Sequence, residues 1–121
     1  MKSVLTVDDS PSIRQAIKVT LGPAGYEVLQ AEDGLDGLSK AKSKQVNMVI
    51  TDLNMPNMDG LTFIRNIRKL SGYAGVPIVF LTTESDGAVK QEAKSAGATG
   101  WITKPFNQEQ LLSVVRKLIG S

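Results

Sequence analysis

Five side chains of this sequence could do chemistry together: the carboxylates of Asp8, Asp9 and Asp52, the hydroxyl of Thr82 and the amine of Lys104. Each follows a short β-prone run. Asp8-Asp9 follows Ser3-Val4-Leu5-Thr6-Val7, Asp52 follows Met48-Val49-Ile50-Thr51, Thr82 follows Pro77-Ile78-Val79-Phe80-Leu81, and Lys104 follows Trp101-Ile102-Thr103. Taken singly, each has an ordinary explanation. A strand-end Asp caps a turn or the next helix, a Thr lends a hydroxyl to a turn, and a Lys lies on the surface. Four strand ends that together bring three acids, a hydroxyl and an amine to one edge of a sheet call for a functional reading.

Three clustered carboxylates repel one another strongly at low effective dielectric and require a cation. The sequence holds no His and no Cys, so the ligands can only be oxygens, and oxygens select a hard ion. Mg²⁺ fits best, with Mn²⁺ as an alternative: one or two carboxylates, a backbone carbonyl, waters and a phosphoryl oxygen complete an octahedron. Asp52 is then expected to act as a nucleophile towards phosphorus. The metal and Lys104 offset charge on the phosphoryl oxygens, Thr82 donates a hydrogen bond to one of them, and the product is an acyl phosphate.

The elements that must position these residues are legible in turn. Ser10-Pro11 reads as a cap and a first helical proline, with Ile13, Ala16, Ile17, Thr20 and Leu21 as the buried face of the first helix. Gly22-Pro23-Ala24-Gly25 stops that helix, and Tyr26 to Ala31 forms a second strand. Leu35, Leu38 and Ala41 mark a weaker helix to about Lys44. Phe63, Ile64, Ile67 and Leu70 line a third helix. Val89, Ala93 and Ala96 give the fourth, over roughly 87–96, a thin apolar stripe that predicts loose packing. Leu111, Leu112, Val115, Leu118 and Ile119 make the last helix strongly amphipathic. Five strands alternating with five helices, three of the strands apolar on both faces, predict an α/β fold. The expected form is a doubly wound three-layer sandwich with a five-stranded parallel sheet in order 2-1-3-4-5. Ligands in such sheets bind at the carboxyl ends of the strands, where the winding reverses between strands one and three.

Length and composition agree with this reading. The 121 residues suit one domain, 1–121, with no room for a second core or a DNA-binding output domain. No stretch approaches the length of a membrane span, and the N-terminus carries no signal pattern, so the expected setting is cytoplasmic. A net charge of +2 decides nothing about partners. Lys40, Lys42 and Lys44 fall two apart and form no helical stripe, so no nucleic-acid footprint is expected.

Asp8-Asp9, the decapeptide Thr51-Asp52-Leu53-Asn54-Met55-Pro56-Asn57-Met58-Asp59-Gly60, Thr82 and Lys104-Pro105-Phe106 occur in an order that resembles the receiver domain of two-component response regulators. The resemblance covers essentially the whole chain and implies a flavodoxin-like fold. It implies that Asp52 accepts a phosphoryl group from a sensor histidine kinase, and that Asp8, Asp9 and Asp52, with the backbone carbonyl of Asn54, hold Mg²⁺. It also implies a cis Lys104-Pro105 bond and a switch in which Thr82 moves towards the phosphate while the aromatic of strand five turns inward. That aromatic is Trp101, where Tyr or Phe is commoner, and plain core or edge packing is its other reading. Thr83 also departs from the smaller residue common in the family. Asn54 and Glu84 match positions that tune dephosphorylation. An Asn-Glu pair there, together with Ala31-Glu32-Asp33-Gly34, resembles the chemotaxis branch. Partners implied are a chemotaxis-type kinase, a flagellar motor switch protein and a phosphatase, engaged by a monomer through the face of helix four, strand five and helix five.

Two other functions share these residues. A phosphorelay intermediate or phosphate sink would keep the site and change the wiring. A phosphohydrolase of the haloacid dehalogenase type would use Asp52 as nucleophile, but such enzymes carry a second Asp two residues on, where this sequence has Asn54. Flavin binding at the same crevice is disfavoured, because Asp8 and Asp9 would repel the cofactor phosphate.

Overall fold

A computed structural model describes residues 1–83 and 87–120. Ten elements alternate along the chain: β1 (Ser3–Val7), α1 (Pro11–Leu21), β2 (Glu27–Ala31), α2 (Gly34–Ser43), β3 (Met48–Asp52), α3 (Gly60–Arg68), β4 (Ile78–Thr82), α4 (Gly87–Ala96), β5 (Gly100–Thr103) and α5 (Gln108–Ile119). The strands form one parallel sheet in the expected order β2-β1-β3-β4-β5. Every residue of β1, β3 and β4 is buried, whereas β2 and β5, at the edges, are partly exposed.

Alternation along the central strands divides the core into two layers. Leu5, Val7, Val49, Ile78 and Phe80 face α2, α3 and α4, where they meet Ala41, Phe63, Ile64, Ile67, Ala93 and Ala96. Val4, Met48, Ile50, Val79 and Leu81 face the other way and meet Ile17 and Leu21 of α1 and Leu111 and Val115 of α5. A strand lined with apolar residues on both faces is stable only with helices on both sides, which is the arrangement found.

Local chemistry starts the helices, at α1 as read. The Ser10 hydroxyl accepts from Ile13 N and Pro11 opens α1. Asp33 caps α2, Asp59 caps α3, and Asn107 with Gln110 forms a capping box on α5. Two residues of the helical apolar patterns are instead exposed. Ala16 points to solvent, because α1 buries only Ile17, Thr20 and Leu21 fully. Leu35 is 54% exposed, and Gly34, Gly37 and Ala41 take the inner face of α2 in its place. The reason is proximity: a Cβ on Gly37 would stand 2.9 Å from the Phe63 ring and 3.0 Å from Val7, so this helix approaches too closely for a row of leucines. Lys40 and Lys44 are engaged as surface groups, Lys40 with Asp36 and the Gln30 carbonyl, Lys44 with Glu27.

Sheet register sets the site. Val7 pairs with Thr51, Asp52 with Leu81, and Thr82 with Thr103, so the carboxyl ends of β1, β3, β4 and β5 finish within a residue or two of one another. Lys104 N donates to Thr82 O at 2.9 Å, which holds the start of the final loop against β4. The Lys104-Pro105 bond is cis.

Candidate functional site

Asp8 leaves β1 one residue beyond its last sheet pair and is 1% exposed. Its Oδ1 accepts from Ser10 N at 2.9 Å, whereas Oδ2 is buried with no hydrogen-bond partner among the described residues. Burial pushes this carboxyl above its ordinary value of 3.8. The Ser10 N–H and Lys104 oppose the rise, and the charges of Asp52 and Asp9 add to it. Asp9 is exposed beside it, and Asp52, 8% exposed, closes β3. One oxygen from each of the three carboxylates falls within 4.8 Å of the others.

Lys104 enters this cluster from the end of β5. Its Nζ stands 3.3 Å from Asp52 Oδ1 and 3.8 Å from Asp8 Oδ2. Asp52 Oδ1 also accepts from Leu53 N at 2.8 Å. Each pair of like charges at such distances costs on the order of 3–4 kcal/mol at an effective dielectric of about 20. One ammonium offsets one of three negative charges, and the remaining two call for a cation. The donors are all oxygen and one of them, Asp8 Oδ2, is buried and lacks a hydrogen bond, so the residues suit a hard divalent ion such as Mg²⁺.

Thr82 is 5% exposed at the end of β4. With Asn54, Leu53, Asp59, Leu61 and Val89 it lines a cleft of about 300 Å³. Trp101 stands apart. It lies on the exposed side of β5, 47% accessible, so it is an edge residue and core packing does not describe it. Its ring is tilted 35° to that of Phe80, centroids 6.2 Å apart, and Lys90 Nζ of α4 lies 4.4 Å from its centre. Glu84 falls outside the described residues.

Three residues support the site in roles of their own that the sequence does not give: Arg14, which no motif includes, and Gly60 and Asn57 of the decapeptide. Arg14 Nη1 donates to the Asp8 carbonyl at 2.5 Å while its Nε reaches Gln30 Oε1 at 3.2 Å, fixing the backbone that carries the acid pair. The hint was its position near the start of α1, where a cation opposes the helix dipole. Gly60 donates its N–H to Leu53 O at 2.8 Å, and a Cβ there would come 2.2 Å from Asp52 O. Only a glycine lets α3 begin this close to the end of β3. Asn57 is the third: it has φ 69 and donates from Nδ2 to Asp33 Oδ2 at 2.8 Å.

Comparison with known proteins agrees with this geometry. The sequence model of the response regulator receiver domain matches residues 4–116. Chemotaxis protein CheY1 of Helicobacter pylori (strain ATCC 700392 / 26695) is 38% identical over 120 residues, covering 98% of this chain and 97% of that protein. The DNA-binding dual master transcriptional regulator RpaA of Synechocystis is 34% identical over 119 residues, and the chain spans about half of its length, 49%. The crystal structure of Vibrio cholerae chemotaxis protein CheY4 superimposes with a TM-score of 0.95 at 48% identity, over 98% of both chains. Among the described residues no helix is long and apolar enough to cross a membrane. From its first strand into its last helix, the chain belongs to the response regulator receiver domain family.

Proposed function

We propose that this receiver domain is a phosphorylation-controlled signalling switch of the chemotaxis type, with Asp52 as its phosphoacceptor. The observation that carries the reading is the placing of Lys104 Nζ against both Asp52 Oδ1 and Asp8 Oδ2, with Asp9 completing an acid cluster. Asp8, Asp9 and Asp52, with the Asn54 carbonyl, would hold Mg²⁺. When bound, the ion supplies positive charge to the phosphoryl oxygens.

With Oδ1 engaged by Leu53 N and Lys104, Oδ2 of Asp52 is the attacking oxygen. An O–P bond forms there as the donor's P–N or P–O bond breaks, and the electron pair of that bond leaves with the donor. The donor is a phosphohistidine of a sensor kinase or, in a test tube, acetyl phosphate. Lys104 follows the transferred group, and the Thr82 hydroxyl donates to one of its oxygens. Asn54 borders the same cleft and is suited to influence the approach of water that removes the phosphoryl group. Trp101 and α4 then form the surface that reports the change to a partner. The similarity to chemotaxis proteins supports a chemotaxis kinase as donor, a cytoplasmic setting, a monomeric state, and a flagellar switch protein and a phosphatase as further partners.

Acetyl phosphate with Mg²⁺ is expected to add one phosphoryl group to the wild-type protein and none to Asp52→Asn, read by intact mass. Undiminished labelling of the variant would remove Asp52 from this role. Capture of a binding protein only in the presence of beryllofluoride supports a signalling output. Reversible transfer from Asp52 to a histidine domain would instead favour a relay.

A further inference from the structure

The loop between β3 and α3, which carries Asn54, is held at two points. At its base Gly60 N donates to Leu53 O. Further along, Asn57 adopts φ 69, a left-handed conformation uncommon outside glycine, and Met58 N closes back on Pro56 O at 2.7 Å. An i to i+2 turn with positive φ at its centre is rare and strained, and it persists where neighbours over-determine it. Here the neighbours belong to α2. Asn57 Nδ2 donates to Asp33 Oδ2 at 2.8 Å, and the Met58 side chain lies so close to Gly34 that a Cβ there would meet it at 2.9 Å. Asp33 is 8% exposed, and its other oxygen accepts from Asp36 N at 2.8 Å as the cap of α2. One buried carboxylate therefore starts a helix with one oxygen and restrains the loop with the other.

We infer that Asn57 and Asp33 are positioning residues for the cation site, setting the direction of the Asn54 backbone carbonyl through this tie. The inference rests on the phosphoacceptor reading above. Only Met55 and Pro56 separate Asn54 from Asn57, and the proline ring fixes one of the dihedrals between them. A loop pinned at Asn57 and at Gly60 has little freedom left at Asn54. Residues that orient a metal ligand without touching the metal commonly alter affinity when removed.

Two substitutions cut the tie and spare the local conformation. Asn57→Gly keeps the left-handed backbone without the amide, and Asp33→Ser keeps a helix cap without the second oxygen. Mg²⁺ affinity is measured by calorimetry, with the unfolding midpoint taken in the absence of Mg²⁺. Asn57→Gly is expected to weaken Mg²⁺ binding about tenfold with the midpoint little changed. Asp33→Ser also loses a charge and is expected to weaken binding at least as much. The double variant should be no weaker than Asp33→Ser alone, because both substitutions remove one bond. Wild-type affinity in Asn57→Gly, or additive losses in the double variant, overturns the positioning role. Asp9→Ala separates this from failure of the underlying reading. If Asp9→Ala loses Mg²⁺ and Asn57→Gly keeps it, only the positioning role is wrong. If the wild-type protein binds no Mg²⁺, both are.

Discussion

Helices α3 and α4 lie side by side on one face of the sheet, and they are held by different means. From α3, Phe63, Ile64 and Ile67 are fully buried, and Arg68 at its end donates to the carbonyls of Tyr73 and Val76 and to that of Gly97 just past α4. From α4, Ala93 and Ala96 are the buried residues, with Val89 partly covered. Full burial of a large apolar side chain is worth roughly 1.5–3 kcal/mol, and of a single methyl about 0.8 kcal/mol. The acid cluster, the Asn57 tie and Gly60 all belong to the α3 side. Thr82, whose cleft also touches Val89, connects that rigid side to the lightly held one. Under the proposed function a local change at Asp52 is thus transmitted to the element that costs least to move. Low-stability segments are where such motion is generally found.

The largest test of this contrast compares Phe63→Ala with Val89→Ala. Removing the Phe63 ring leaves a cavity against Val7 and α2 and is expected to cost about 3–5 kcal/mol in denaturant unfolding. Val89 is only partly covered, and its loss should cost about 1 kcal/mol or less. Similar costs for the two variants would contradict the division into a rigid and an adjustable side.

Much of that division was legible in the sequence. Phe63, Ile64 and Ile67 against Val89, Ala93 and Ala96 are visible as stripes of large and small residues at helical spacing. The strand ends were legible because a parallel sheet with central strands apolar on both faces has few ways to wind, and every way brings Asp8, Asp52, Thr82 and Lys104 to one edge. What could not be read depends on distances between segments remote in the chain. Leu35 marks a helical apolar pattern, yet the close approach of Gly37 to Phe63 gives the inner face to glycines and Leu35 to solvent. Gly60 and Asn57 lie in the decapeptide around Asp52, and their individual roles emerge only from Asp52 O and Asp33, which they meet in space. Whether Trp101 faces solvent was not legible either, because an edge strand exposes alternate residues and strand order alone does not say which.

The second test probes the adjustable side. Lys90 over the Trp101 ring ties α4 to β5 through a half-exposed contact, worth about 0.5–1 kcal/mol at such a site. Lys90→Met is therefore expected to leave stability almost unchanged. It should raise acrylamide quenching and shift the emission of Trp101, the only tryptophan. If the contrast holds, beryllofluoride should perturb this fluorescence more readily in the variant, because one restraint on α4 has gone. Identical spectra with and without the substitution would mean that the stack does not hold Trp101 in place.

The smallest expected effect lies on the rigid side and is read through pH. Hydrogen bonds from Asp36 N and from the Asn57 amide hold the Asp33 carboxyl below its ordinary value of 3.8. A carboxyl depressed in the folded state contributes stability that is present above the unfolded value and is lost as pH falls through the folded one. Asp36 and Lys40 of the same helix pair with each other and are retained in Asp33→Ser. The stability difference between the wild-type protein and Asp33→Ser should be largest above about pH 4 and shrink as acid protonates Asp33. A difference that stays constant from about pH 5 to pH 2 would show that the charge of Asp33 adds nothing to the tie. The loop would then be held by the Asn57 backbone and Met58 packing alone. If the difference does shrink, acid releases the β3–α3 loop from α2 while leaving the alanines of α4 untouched. The rigid side would then be the one that pH loosens and α4 the one that phosphorylation moves, so the two halves of the site would answer to different chemistry.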